Sequence, residues 1–306
     1  MIDVQKQTDQ RARTPAFKLK PLKFAAWNRV ALAPGVLYIL CVCLLPVLYL
    51  LRFSLSEYHH GSMELTGLTL SNYLKFFSDP YYLELLYSTF IMAILVAVLT
   101  ILLAYPVAYY LVRVKSPLVR VIAVLVYLPL MASTVVTSFG WQALLADSGF
   151  INRTLMSLGI IDEPIKMMYN RVGVYIALVQ ANMPFMVVQI RNALKAMDPF
   201  TIQASKTMGA NSFQTFIHVT LPLSMPGISA GVMLVFVSVM SSFVTPTLIG
   251  GGRVNTLGSL IYNQVTVAAN FQFASAVAFI LLVLAFISLY LNNRLMESKK
   301  LGGGGR

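Results

Sequence analysis

Charge is scarce in this chain. Only 11% of its 306 residues are charged, against roughly a quarter in ordinary soluble domains. That shortage excludes a soluble globular protein of ordinary composition. With 58% hydrophobic residues and a mean hydropathy of +0.73, the composition is that of a membrane protein. Cysteine is nearly absent too. Cys41 and Cys43 are the only two, two positions apart in an apolar run, where a helix points them to different faces. Neither a disulfide nor a metal site is expected from them. There is no Gly-x-x-x-x-Gly-Lys-Ser/Thr anywhere, so the chain has no P-loop to cradle ATP phosphates. Histidine is limited to His59, His60 and His218, all outside the long apolar runs.

Six of those runs are long enough to cross a hydrocarbon core of about 30 Å, which takes about 20 helical residues. They cover 30–51, 86–112, 121–145, 172–190, 228–249 and 273–291, and none contains Asp, Glu, Lys or Arg. Each run is continuous, whereas barrel strands would alternate polar and apolar positions, so helices are expected. The first run lies behind a 29-residue basic arm and is followed by Arg52-Phe53-Ser54-Leu55. With no small-residue cleavage site there, a retained span is expected in place of a signal peptide.

Basic residues set the orientation. With the N-terminus in the cytoplasm, 17 Lys and Arg lie inside: seven in the arm, three in 113–120, three in 191–227 and four after the last run. Six remain outside. Both termini are therefore expected in the cytoplasm. The net charge of +12 follows this topology and forms no single patch with interleaved aromatics, so the partner is a lipid bilayer and not nucleic acid. The organisation is a basic arm over 1–29, one six-span domain over 30–296, and a tail over 297–306 whose final glycines look like a linker or engineering scar.

The external segments hold short helices in this reading, with Ser71 to Phe77 lying on the membrane surface and Asp79-Pro80 starting another. Gly250-Gly251-Gly252 reads as a turn.

One internal loop, 191–227, is long, and a loop of that length is more often functional than a mere connector. Asp198 is placed to cap a helix whose first residue is Pro199, and Gly209 to end it in a left-handed conformation. That makes a rod of about ten residues, roughly 15 Å long, with Ala204 and Ser205 supplying small surface. Asn211 or Ser212 caps a second short helix. Leu221-Pro222 and Pro226-Gly227 are then expected to turn the chain into the fifth span.

These residues resemble the permease subunits of binding-protein-dependent ABC importers. The family's signature is Glu-Ala-Ala, three residues, Gly, then about nine residues before an apolar residue, one more, and Leu-Pro. Here it reads Gln203-Ala204-Ser205, Gly209-Ala210, and Val219-Thr220-Leu221-Pro222, closing with Pro226-Gly227. Gln203 stands where the family usually has Glu, and Ser205 where it has Ala. Asn72-Tyr73, Asp79-Pro80-Tyr81-Tyr82, Ala104-Tyr105-Pro106-Val107-Ala108, Gly149-Phe150-Ile151-Asn152 and Gly159-Ile160-Ile161-Asp162 resemble the spermidine/putrescine-type permeases. Members of similar appearance are associated with opines, phosphonates and ferric iron.

The resemblance implies an all-α, type I importer permease of the bacterial inner membrane, with residues 198–209 as a coupling helix docked on a separate ATPase. It implies a second permease subunit, two ATPase subunits holding ATP and Mg, and an extracytoplasmic binding protein. No cofactor is expected on this chain.

For the route of a solute, polar or aromatic residues in the spans are the candidates: Tyr127, Trp141, Gln142, Gln180, Asn182, Ser242, Phe243 and Thr245. Pro184, close to Asn182, suggests a locally broken fourth span of the type that lines transporter cavities. Two other classes fit parts of the sequence. Gly227-Ile228-Ser229-Ala230-Gly231 matches the Gly-x-Ser-x-Gly of hydrolase nucleophiles, but no span supplies a His or Lys as base. A passive channel fits the neutral spans and leaves the cytoplasmic rod without a use.

Overall fold

The computed structural model describes residues 24–57, 65 and 67–302, with side chains for 34–57, 65 and 67–294. Most of the basic arm, His59, His60 and the last four residues lie outside the described residues. The chain divides into two units, Met1–Tyr49 and Leu50–Arg306. Helix α1 (Phe24–Ser54) begins in the first, with Pro34 and Pro46 inside it, and its last residues belong to the second.

In the second unit follow α2 (Ser71–Ser78), α3 (Pro80–Arg113) and α4 (Leu118–Tyr127), the last prolonged by a 3-10 turn, Leu128–Met131. Next come α5 (Thr134–Leu145), α6 (Phe150–Ser157), α7 (Arg171–Ala196), α8 (Pro199–Thr207) and α9 (Ser212–Thr215). A π turn, Phe216–Thr220, leads into α10 (Leu221–Met240), and α11 (Val244–Gly250), α12 (Leu257–Thr266) and α13 (Phe271–Gly302) complete the order. Among the described residues all regular structure is helical. Five helices among the described residues are long and apolar enough to cross a membrane, and a sixth is obtained if the bent pair Leu118–Met131 and Thr134–Ser157 counts as one span.

The core is a three-helix packing of α3, α7 and α10. One face of α3 offers Ala93, Ala97, Ala104 and Ala108, all at most 3% exposed. Lipid tails are as apolar as Leu, so association inside a bilayer depends on close van der Waals approach, and small residues permit it. The fit to α7 is completed by Val174, Ala177, Met186, Val187 and Ile190, and to α10 by Val235, Val239 and Met240. Gly227 and Gly231 bring α10 against α7: a Cβ on Gly227 would lie 2.5 Å from the Ala193 Cβ, and one on Gly231 would strike the Met186 sulfur.

A second cluster joins α2, the start of α3, α12 and α13. Phe76 stacks on Tyr82 at 5.7 Å, and Tyr82 meets Phe273 at 5.0 Å. The Asn72 amide donates to the carbonyls of Ser54 and Ser56, each at 3.0 Å. The expected helix over Ser71 to Phe77 therefore forms, with Asn72 and Phe76 turned into the protein. Asp79 caps α3 by accepting from the Tyr81 N–H at 2.9 Å. Asn152 accepts from the Ile165 N–H at 3.0 Å and donates to the carbonyls of Ala146 and Ile165, tying down the segment after α6.

Four details differ from the sequence expectations. The third apolar run is bent by 112°, because Pro129 forms a 3-10 turn and Ser133, extended, caps α5 through the Val136 N–H. The fourth run is unbroken: α7 passes through Pro184. An interior proline costs roughly 3 kcal/mol, and here Leu178, Met186 and Val187, each at most 2% exposed, hold the helix in place by packing on both sides of it. The break expected there lies in the fifth run, at 241–243. Pro246 has no N–H to give the Ser242 carbonyl, which instead accepts the Thr256 hydroxyl at 2.9 Å. Finally, Pro222 and Pro226 make no corner. Pro222 sits in the first turn of α10 and Pro226 inside it, so the loop runs into the span as nearly one rod, Ser212–Met240.

Candidate functional site

The connection between α7 and α10 is built by local chemistry. Asp198 accepts from the Phe200 N–H at 2.9 Å, and Pro199 occupies the first turn, where a missing N–H costs nothing. At the other end Gly209 has φ +87°. Its N–H donates to the Lys206 carbonyl at 3.0 Å and the Ala210 N–H to the Ser205 carbonyl at 3.1 Å, the paired bonds of a Schellman end. Both ends of α8 are therefore closed, and nine residues form a short, well-defined rod. Asn211 and Gln214 make a reciprocal capping box for α9.

The outer surface of this rod carries large apolar side chains among polar ones, where a solvated loop has no reason to expose them. Phe200 is 74% exposed and Met208 85%. A recess of about 900 Å³ beside them is lined by Asp198, Ala204, Ser205, Gly209, Gln214 and His218. Exposed apolar groups rimmed by polar ones mark interaction surfaces. Gln203 and Ala204 are exposed on the same helix, while Ala210 is half-buried.

The rod is joined to the membrane helices through its inner side. The hydroxyls of Ser205 and Thr215 are hydrogen-bonded at 3.1 Å, and Thr215 is buried. One residue on, Phe216 meets Tyr105 and Tyr109 of α3 edge-on, at 5.5 and 6.1 Å. The Tyr105 hydroxyl bonds in turn to Ser224 of α10 at 3.1 Å. The segment after α8 is thus continuous with α10 through the backbone and in contact with α3 through Phe216. Thr215, Phe216 and Ser224 were not among the sequence candidates. The signal available for Phe216 was an aromatic in a polar loop just before Leu221-Pro222.

The residues proposed for the solute route fall into four places. Asn182, Ser242, Phe243 and Thr245 come together around one cavity of about 320 Å³, with Thr134 and Ser238 beside them. Trp141 and Gln180 form a pair, the indole N–H donating to the Gln180 oxygen at 3.2 Å, at the wall of a separate apolar cavity. Tyr127 lies elsewhere, its hydroxyl accepting from Arg191 at 3.2 Å. Gln142 donates to the Leu248 carbonyl at 2.6 Å and so braces α11.

The broken fifth run shapes the first cavity. Its shorter half is held by Thr256, which caps α12 through the Ser259 N–H and binds the Ser242 carbonyl. Thr245 is hydrogen-bonded to Ser138 at 3.4 Å. Asn182 is 2% exposed, and its amide N–H donates to the Leu178 carbonyl at 2.8 Å, but its oxygen has no partner among the described residues. A buried acceptor left unmet costs on the order of 1–3 kcal/mol.

The hydrolase pattern has a packing origin. Ser229 donates to the Asn292 oxygen at 2.8 Å, and the Nδ1 of His218 lies 3.0 Å from the Gln214 carbonyl. The flanking Gly227 and Gly231 are explained by the close approach to α7 described above.

Comparison with known proteins agrees with this architecture. The family profile "binding-protein-dependent transport system inner membrane component" matches residues 98–299. The chain is similar to the spermidine/putrescine transport system permease protein PotB of Haemophilus influenzae, 28% identical over 276 residues, 89% of this chain and 96% of the relative. The PotB of Escherichia coli K12 is 31% identical over 221 residues, 72% of this chain and 80% of the relative. Among solved structures, a chain of a bacterial alginate ABC transporter bound to its periplasmic protein superposes with a TM-score of 0.75 at 17% identity, covering 93% of this chain and 98% of that one. A chain of the MetNI methionine ABC transporter gives 0.55 at 18% identity, over 72% and 98%. The fold is that of type I importer permeases, and the chain belongs to the family of inner-membrane components of binding-protein-dependent transport systems.

Proposed function

We propose that this chain is one permease half of an ATP-driven importer for a polyamine or a similar small amine, working with a second permease subunit, two ATPase subunits and an extracytoplasmic binding protein. The basic residues orient it with the loop between α7 and α10 in the cytoplasm. There α8 is the coupling helix, seated on an ATPase that holds ATP and Mg. Asp198, Pro199 and Gly209 keep it rigid. Gln203, Ala204, Phe200 and Met208 meet the ATPase surface.

The observation that carries this reading is the anchorage of α8 through Thr215 and its neighbour Phe216. A rod closed at both ends, exposing Phe200, and bonded through Ser205 to Thr215, beside the Phe216 that packs on α3, is a device for passing displacement into the membrane. ATP-driven closure of the ATPases moves two such rods, one per permease half, and rocks the bundle between its two openings. The amine is supported by the relatives of 28 to 31% identity named for spermidine and putrescine.

The test is purification with the partner subunits, followed by reconstitution in liposomes. Uptake of spermidine or putrescine that needs both ATP and the binding protein is expected. Uptake that continues without ATP or without any partner would identify a channel instead.

A further inference from the structure

We propose that the cavity between α7, α10 and α11 is a passing subsite for a protonated primary amine, with the Asn182 side-chain oxygen as the acceptor for an ammonium N–H. The inference rests on the permease reading above and deepens it by naming what the cavity receives.

The amide of Asn182 decides the sign of the ligand. Its nitrogen is already committed to the Leu178 carbonyl at 2.8 Å, so the atom left without a partner among the described residues is the oxygen, covered by protein in this conformation. An oxyanion at this wall would meet a carbonyl dipole pointing the wrong way, whereas an ammonium group is all donor and no acceptor. The hydroxyls of Thr134, Ser238, Ser242 and Thr245 line the same space and are able to accept as well as donate. Phe243, stacked on Tyr262 at 5.0 Å, adds a ring face to the wall, and aromatic faces attract cations.

Helix ends do not settle the matter. The C-terminal end of α10 and the first turns of α5 and α11 all border the cavity, so dipoles of both signs meet there and the side chains are left to select. Among the described residues no Asp, Glu, Lys or Arg lines it. A buried carboxylate would hold a cation for long, while a neutral oxygen and a ring hold it briefly, as a route through a pump requires. The volume of about 320 Å³ accepts an amine terminus with a few methylenes. An amide serving only to join helices would have both ends paired, and this one does not.

The experiment uses the full assembly in liposomes, with radiolabelled putrescine presented by the binding protein. Asn182→Leu is expected to lower kcat/KM for uptake about tenfold, and Asn182→Asp to lower both KM and kcat, since a carboxylate binds the cation more tightly and releases it more slowly. Thr245→Val serves if Asn182→Leu fails to assemble, with a smaller loss in kcat/KM expected. Wild-type kinetics in Asn182→Asp, or a rise in its KM, overturns the subsite. ATP-driven uptake confined to anionic solutes overturns it too, while leaving the permease reading in place. A wild-type assembly with no ATP-driven uptake of any solute overturns both.

Discussion

Phe216 stands edge-on to Tyr105 at 5.5 Å and to Tyr109 at 6.1 Å, so the residue that follows the short helix α9 is wedged against a membrane-spanning helix. Edge-to-face pairs are worth about 0.5–1.5 kcal/mol each beyond the area they bury. That is small beside the stability of the fold. Phe216→Ala is expected to leave the assembly intact and its ATPase active, while uptake per ATP hydrolysed falls about tenfold. Parallel assays of hydrolysis and uptake check this, and an unchanged ratio would remove Phe216 from the coupling route.

Gly209 has φ +87°, and a Cβ built on it meets nothing within 4 Å. A substitution there is strained by roughly 1–2 kcal/mol, less for Asp or Asn, which enter the left-handed region more readily. Gly209→Asp is therefore expected to insert normally, and to lose uptake and substrate-stimulated ATPase activity because a carboxylate now stands on the docking face. Normal uptake by this variant would count against a contact at that end of α8.

Ser229 and Gly231 separate the hydrolase pattern from the packing account. Ser229→Ala loses one hydrogen bond to Asn292 and is expected to transport as before. Gly231→Leu forces a side chain into Met186, an overpacking that costs about 1–3 kcal/mol. A lowered melting temperature and yield in detergent are expected for it. Loss of transport in Ser229→Ala with assembly intact would reopen a chemical role for the serine.

The loop was legible in the sequence because its signals are local. Asp198, Pro199, Gly209 and Asn211 act on backbone groups within a few residues of themselves, and the ends of α8 and α9 follow from them. The breaks in the spans were less so, because they depend on partners far along the chain. Pro184 and Pro246 are the same residue type in two apolar runs. Around Pro184 the packing of α7 on α3 and α10 keeps the helix whole. Before Pro246 the freed carbonyl of Ser242 finds the hydroxyl of Thr256, and the run parts. Nothing near Pro246 in sequence announces Thr256. The cavity was half legible for the same reason. Asn182, Ser242, Phe243 and Thr245 stood out as polar or aromatic residues in apolar runs, while Thr134 joined them only because the third run bends at Ser133.

The central claim is that α8 lies in the cytoplasm against an ATPase and receives its motion. The most direct test replaces Cys41 and Cys43, introduces Met208→Cys, and treats the assembled complex with a thiol cross-linker. Met208 is 85% exposed on the outer side of the rod. The account predicts a cross-link to the ATPase subunit, and labelling by an impermeant thiol reagent only when the cytoplasmic face is open to it. Labelling from the extracytoplasmic face of sealed vesicles, with no cross-link to the ATPase, would contradict it.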